Sequence, residues 1–138
     1  MTLLVTKGLT RHFGGLTAVD ALDFELAGGE IHALIGPNGA GKSTFVGMVS
    51  GRIAASSGEV WFDGSNITHL PAHARIRRGM AYTFQITSVY ARLSLFDNLA
   101  LALRRRSRDE VLAALDRVGL ADRADEVAGD LSYGHQRL

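Results

Sequence analysis

The stretch from Glu30 to Gly51, EIHALIGPNGAGKSTFVGMVSG, constrains this chain more than any other. Within it, Gly36-Pro-Asn-Gly-Ala-Gly-Lys42-Ser43 matches the phosphate-loop pattern G-x-x-x-x-G-K-[ST]. Ahead of the loop, Ile31 to Ile35 is a short, almost wholly apolar run, the pattern of a strand buried on both faces in a parallel sheet. Behind it, Phe45, Val46, Met48 and Val49 are apolar, no proline interrupts, and Gly51 stands where a left-handed cap would end a helix. A main chain that wraps a polyphosphate must turn sharply and aim successive N–H groups inward. That requires positive φ angles and no Cβ in the way, which Gly36, Gly39 and Gly41 supply. The backbone amides from Asn38 to Thr44, with the positive end of the following helix, then make an anion cradle. Lys42 places a compact cation near the β and γ phosphates, and the Ser43 hydroxyl can serve an octahedral Mg²⁺ bridging them. Thr44 adds a weaker contact. Chance alone produces the four fixed positions in roughly one window in 20,000, so a fortuitous glycine turn is a poor account and nucleotide binding is the expectation.

Composition narrows the class without naming a function. The 138 residues suffice for one domain with a real core, and 46% hydrophobic and 21% charged residues are ordinary globular values. A net charge of +1 gives no case for nucleic acid or anionic membrane as a general partner. The absence of cysteine excludes disulfides and thiolate metal sites. No run approaches the length of a membrane span and no secretory leader pattern is present, so the chain reads as soluble, with any membrane role passing through a partner.

Leu3 to Thr6 reads as a first strand, and Leu22, Phe24 and Leu26 alternate as a second until Gly28-Gly29 turns the chain. Val60 and Phe62 alternate about Trp61 before an Asp63-Gly64 turn signal, so these strands form a half-buried antiparallel layer beside the Ile31 to Ile35 strand. Pro71 is placed as the first residue of a short helix ending near Gly79, and Met80 to Gln85 as a further strand. Ser94 and Asp97 form a capping-box-like pair heading a helix whose tail is Arg104 to Arg106. Ser107 and Glu110 repeat the device, with Val111, Leu112, Leu115 and Val118 on one face and Gly119 as cap. Arg75, Arg77 and Arg78, and the Arg104 to Arg108 run, read as solvated faces. His69 and His73 flank Pro71 without a nearby carboxylate, which argues against a metal.

A phosphate loop names a superfamily, and other positions choose within it. Leu131-Ser-Tyr-Gly-His-Gln-Arg137 resembles the signature sequence, most often L-S-G-G-Q, of ATP-binding cassette (ABC) ATPases. Gln85 resembles the family's Q-loop glutamine, and Phe13 in Arg11-His-Phe-Gly-Gly15 resembles the aromatic on which adenine stacks. Leu95-Phe-Asp97-Asn98-Leu is similar to its E-N-L segment near the groove that receives a membrane subunit. The Phe13-Gly-Gly-Leu-Thr-Ala-Val-Asp20 opening, Thr83-Phe84-Gln85 and Tyr133 look like the ATP-binding subunits of branched-chain amino acid importers, with urea importers closely similar.

The resemblance implies an α/β P-loop NTPase of ABC type, incomplete here. An N-terminal antiparallel β layer and a P-loop strand and helix would occupy residues 1–85, and a helical subdomain ending in the signature residues 86–138. It implies ATP and Mg²⁺ as cofactors, with Gln85 meeting the Mg²⁺ and attacking water, and Ser132 and the Gly134 N–H gripping the γ-phosphate bound to a facing subunit. Tyr133 replaces the usual first signature glycine, as in the amino acid importers, and His135 stands where Gln is typical. Implied partners are a second ATP-binding subunit, two membrane-spanning permease subunits and, indirectly, a solute-binding protein. The implied location is peripheral, on the cytoplasmic face of the cell membrane. The family's apolar run ending in Asp, its catalytic Glu and its later His are not found before Leu138. The chain is therefore expected to be the first part of a longer ATPase subunit, with little ATP turnover of its own, and Ile31 to Ile35 to lack sheet partners and expose apolar edges. Rival readings are a soluble non-transport ABC ATPase and an inactive nucleotide-binding fragment.

Overall fold

The structure is a computed structural model describing residues 1–84, 88–103 and 107–137. It divides into two compact units, Met1–Tyr82 and Thr83–Leu138.

The first unit is built on a four-stranded antiparallel sheet of order β2-β1-β3-β4. Strands β1 (Thr2–Phe13) and β2 (Leu16–Ala27) form a long hairpin about Gly14 and Gly15. Their register pairs Thr6 with Phe24, Leu9 with Leu22 and Arg11 with Val19. Strand β3 (Ser57–Phe62) lies on the other side of β1 and turns at Asp63 (φ 47°) and Gly64 (φ 72°) into β4 (Ser65–Asn66). Two successive left-handed residues make the primed turn whose twist suits a two-residue hairpin. Helix α1 (Lys42–Val49) seats Phe45 and Met48 against Leu4, Leu9, Val19, Val60 and Ile67. Burying a side chain such as Leu9 contributes roughly 1.5–3 kcal/mol, so this layer of sheet on helix fixes where α1 begins. Gly51 (φ 77°) closes α1 in the left-handed cap expected of it.

Three expectations for this unit are corrected. Ile31 to Ile35 is not a strand: residues 30–37 have no regular structure, and Ile31 and Ile35 are 97% and 92% exposed. Among the described residues no strand pairs with this segment, and a lone extended segment leaves its N–H and C=O groups to water. The expected loss of sheet partners therefore holds and the expected buried strand does not. Residues 80–84 likewise form no strand, while Gln85 lies outside the described residues. Pro71 is the N-cap of α2 (Ala72–Ile76) and not its first helical residue, with an extended ψ of 159°. Arg75 in that helix is buried, unlike the exposed Arg77 and Arg78.

The second unit is helical. In α3 (Leu95–Ala102) the Ser94 side chain caps the Asp97 N–H at 3.0 Å, as the spacing predicts, while Arg104 to Arg106 fall outside the described residues. Helix α4 (Arg108–Asp116) has the full reciprocal capping box of Ser107 and Glu110. Val111 and Leu115 are buried and Leu112 is half-buried, but Val118 is 37% exposed because the helix ends at Asp116, before the stripe reaches it. Two short 3-10 turns, Ala121–Arg123 and Ala128–Asp130, lead to α5 (Tyr133–Gln136). Leu95, Leu115, Leu120, Ala124, Ala128 and Leu131 form the core. Asn98 organises the loop before α3: its side chain accepts from the Tyr90 N–H at 2.8 Å and donates to the Ser94 carbonyl at 2.9 Å.

Truncating the fully buried Leu9 to alanine is expected to cost about 3 kcal/mol in urea unfolding. Ser107→Ala, which breaks the capping box, should cost about 1 kcal/mol in the same measurement.

Candidate functional site

The loop from Gly36 to Gly41 is closed upon itself by Lys42. The ammonium donates to the carbonyls of Gly36 (2.6 Å) and Pro37 (2.7 Å), while the Ala40 N–H donates to the Pro37 carbonyl (3.3 Å). Gly39 and Gly41 take φ angles of 85° and 82°, left-handed values that an L side chain resists, whereas Gly36, expected to do the same, does not have a positive φ; what a side chain would meet there is the Ala40 methyl, 3.3 Å from an added Cβ. Gly41 is under a second constraint. A Cβ there would collide with the Ala18 carbonyl oxygen and come within 3.2 Å of the Val19 side chain, so β2 presses directly on the start of α1.

The first helical hydrogen bond runs from the Phe45 N–H to the Gly41 carbonyl at 2.8 Å. The N–H groups of Lys42, Ser43 and Thr44 precede it and stay free of the helix ladder, at its positive end. Gly41 and Lys42, at the start of the helix, line a cavity of about 460 Å³ that is also walled by Ala18, Asp20, Ala33, Ile35 and Ala40. Ser43 is exposed and Thr44 half-buried. Left-handed glycines, three consecutive free amides, an ammonium and two hydroxyls form a donor set that fits a polyphosphate and its hard cation.

The other expected site residues are distributed as follows. Asn38, exposed, stands at the apex of the loop. Phe13 ends β1 in the same unit, 44% exposed, with the Arg11 guanidinium over its ring at 4.5 Å. Arg11 pairs in register with Val19, the residue that touches Gly41, which puts Phe13 about two residues, roughly 7 Å, further along the strand. Ser132 and Gly134 belong to the second unit: Ser132 is the N-cap of α5, and Gly134 lies inside that helix. The Ser132 hydroxyl lies 3.0 Å from His135 Nδ1, which Arg123 also approaches at 3.4 Å. Arg123 forks onto Glu126 at 2.9 and 2.7 Å, and this hydrogen bonding holds the Glu126 carboxyl below its ordinary range and the guanidinium above its own. Gln85 lies outside the described residues. The motif alone did not reveal that Ala18, Val19 and Asp20 form a wall of the cradle. The signal was the Leu16-Thr-Ala-Val-Asp20 run, legible only as a family opening.

A glycine-built loop at the head of a helix, set against an antiparallel sheet and followed by a helical unit that carries Leu131-Ser-Tyr-Gly134, is the architecture found in ATP-binding cassettes. Residues 19–138 match the model of the ABC transporter family, and the chain belongs to that family. It is 38% identical over 137 residues to the lipopolysaccharide export system ATP-binding protein LptB of Escherichia coli K12, covering 99% of this chain and 54% of the relative. It is 31% identical over 156 residues to the high-affinity branched-chain amino acid transport ATP-binding protein BraF of Pseudomonas aeruginosa, covering 98% and 61%. Among solved structures, a nucleotide-free ATP-binding cassette from an ABC transporter superposes with a TM-score of 0.82 at 26% identity, covering 99% of this chain and 61% of its own. The cassette cbiO1 of Clostridium perfringens superposes at 0.80 and 25% identity, covering 99% and 58%. The chain thus spans between half and two thirds of the length of these relatives. Among the described residues no helix is long and apolar enough to cross a membrane.

Gly41→Ala should abolish the cradle by driving α1 off β2. The expected result is loss of the wild-type amide NMR pattern from Gly39 to Thr44 and no response of those signals to Mg-tripolyphosphate.

Proposed function

We propose that this chain binds ATP with Mg²⁺ and forms the ATP-binding part of a subunit that energises solute import across the cytoplasmic membrane, with branched-chain amino acids as the solute class. The observation that carries the nucleotide reading is the loop itself: left-handed Gly39 and Gly41 lead into the start of α1, where Gly41 and Lys42 line a cavity and the Lys42 ammonium folds back onto the loop carbonyls of Gly36 and Pro37. In this reading Gly36, Asn38, Gly39 and Gly41 shape and line the phosphate path. Lys42 exchanges its carbonyl partners for the β and γ phosphates, a low-cost exchange because both are oxygen acceptors. Ser43 holds Mg²⁺, which when bound neutralises charge on those phosphates, and Thr44 adds a contact. Phe13, backed by Arg11, stacks on the adenine. Gln85 would meet the Mg²⁺ and the attacking water, and Ser132 with the Gly134 N–H would grip the γ-phosphate held by a facing subunit, so the complete site would form between two subunits.

The solute reading draws on the names of BraF and of LivG of Salmonella typhimurium, the latter 34% identical over 156 residues, and on the Phe13 to Asp20 opening and Tyr133. The partners in this reading are a second ATP-binding subunit, identical or homologous, and two permease subunits that hold it on the cytoplasmic face, with a solute-binding protein acting through them. The likeness to LptB favours a second reading, in which the same cassette energises lipopolysaccharide export. The native assembly, purified and reconstituted in lipid vesicles, separates the two: ATP-driven uptake of labelled leucine supports import, and an ATPase stimulated by lipopolysaccharide but not by leucine replaces it.

For the nucleotide, Lys42→Ala is expected to weaken Mg-ATP binding at least about tenfold by calorimetry, since a charge-assisted contact to phosphate is worth about 1.5–3 kcal/mol. Phe13→Ala should weaken ATP by a stacking increment of about 1–3 kcal/mol and leave tripolyphosphate affinity unchanged.

A further inference from the structure

Arg75 is a charged residue at a place no motif accounts for. It is 3% exposed, and its guanidinium is bound entirely by main-chain carbonyls. Nε donates to Leu70 (2.8 Å), Nη1 to Met48 and Val49 (2.8 Å each) and Nη2 to Thr68 (2.8 Å). Met48 and Val49 are the last two residues of α1, so the cation sits at the negative end of the same helix whose positive end forms the cradle. Helix α1 has no basic residue of its own in its last turn. Gly51 leaves the room: a Cβ there would fall 2.7 Å from Arg75 Nε and 3.0 Å from the Ala72 nitrogen. Among the described residues no carboxylate lies within ion-pair distance of Arg75. Burial pulls its pKa below the ordinary arginine value, yet four carbonyl acceptors hold a guanidinium charged.

An ordinary core would not carry an uncompensated cation, because burying one is costly unless it is paired. The carbonyl dipoles accept from four of its five N–H groups but leave its net charge in place. Helix α1 is eight residues long, which puts that charge about 12 Å behind the phosphate amides. It also cancels the negative helix end, whose field would otherwise oppose an anion at the positive one. From this geometry we propose that Arg75 is a positioning residue for phosphate binding: it fixes the far end of α1 and supplies a buried positive charge behind the P-loop. This rests on the reading of Gly36 to Thr44 as a polyphosphate cradle. Arg75 touches no ligand, and its effect on affinity grows with the charge on the bound anion.

The test titrates phosphate, pyrophosphate and tripolyphosphate, each with Mg²⁺ at low salt, into the chain and its Arg75→Gln and Arg75→Lys variants, with the folded fraction fixed by circular dichroism. Arg75→Gln should lose about tenfold in tripolyphosphate affinity and progressively less for the two smaller anions. Arg75→Lys, which keeps the charge while losing hydrogen bonds, should stay within about threefold of wild type even where its urea midpoint falls. Equal affinities for wild type and Arg75→Gln, or one loss factor for all three anions, would overturn the proposal and leave Arg75 a structural staple. Should the glutamine variant not fold, the unmodified chain decides: the Arg75 Nε–H NMR signal is expected to shift on saturation with Mg-tripolyphosphate, and a signal that stays fixed overturns the proposal. Failure of the wild-type chain to bind tripolyphosphate at all would instead remove the cradle reading beneath it.

Discussion

The contact between Gly41 and the carbonyl of Ala18 is the constraint on which the first unit depends. Helix α1 must start at this point, in a left-handed turn, because β2 occupies the space a side chain would need. That single close approach does two things at once. It directs Phe45 and Met48 into the core formed by Leu4, Leu9, Val19, Val60 and Ile67, and it turns the amides of Lys42 to Thr44 outward. Packing of the apolar face and exposure of the polar end are therefore one geometric decision. Conformational cost at a functional loop is sustained where the surrounding structure over-determines it, and here the sheet does so.

The same helix is tied at both ends by a cation, at the front by its own first residue and at the back by one from elsewhere in the chain. Lys42 ties the loop in front of it through the carbonyls of Gly36 and Pro37. Arg75, from α2, ties the last turn behind it. Both cations act on main-chain carbonyls, so α1 is located by the backbone of its neighbours and not by complementary acidic side chains. The second unit is organised differently, with caps at Ser94 and Ser107 fixing helix starts and Asn98 fixing a loop. Ser132 repeats the capping device at the head of α5, so the residue expected to meet a phosphate is already engaged with the His135 N–H and ring.

Local chemistry was legible wherever one residue type suffices. Asp63-Gly64 makes the expected turn, Gly51 and Gly119 take left-handed caps, and Ser107 with Glu110 closes its box, because each depends on a few neighbouring backbone angles. The Ile31 to Ile35 strand was misread because apolar composition reports a preference for burial, whereas a strand exists only through hydrogen bonds to a neighbour. Arg75 was misread for the reverse reason. A cluster of three arginines signals solvent, and nothing adjacent reveals that Met48, Val49, Thr68 and Leu70 converge on one of them.

By itself, the order of residues determined that this chain carries the glycine-rich loop pattern of the ABC family, since the spacing of Gly39 and Gly41 and the Lys-Ser pair encode backbone angles and donors directly. The tertiary structure alone decided which groups enclose that loop. The Ala18 carbonyl and the Asp20 wall are 23 and 21 residues from Gly41, and the Arg75 guanidinium that holds the far end of α1 is 34 residues away, because in a folded chain separation along the sequence says little about distance.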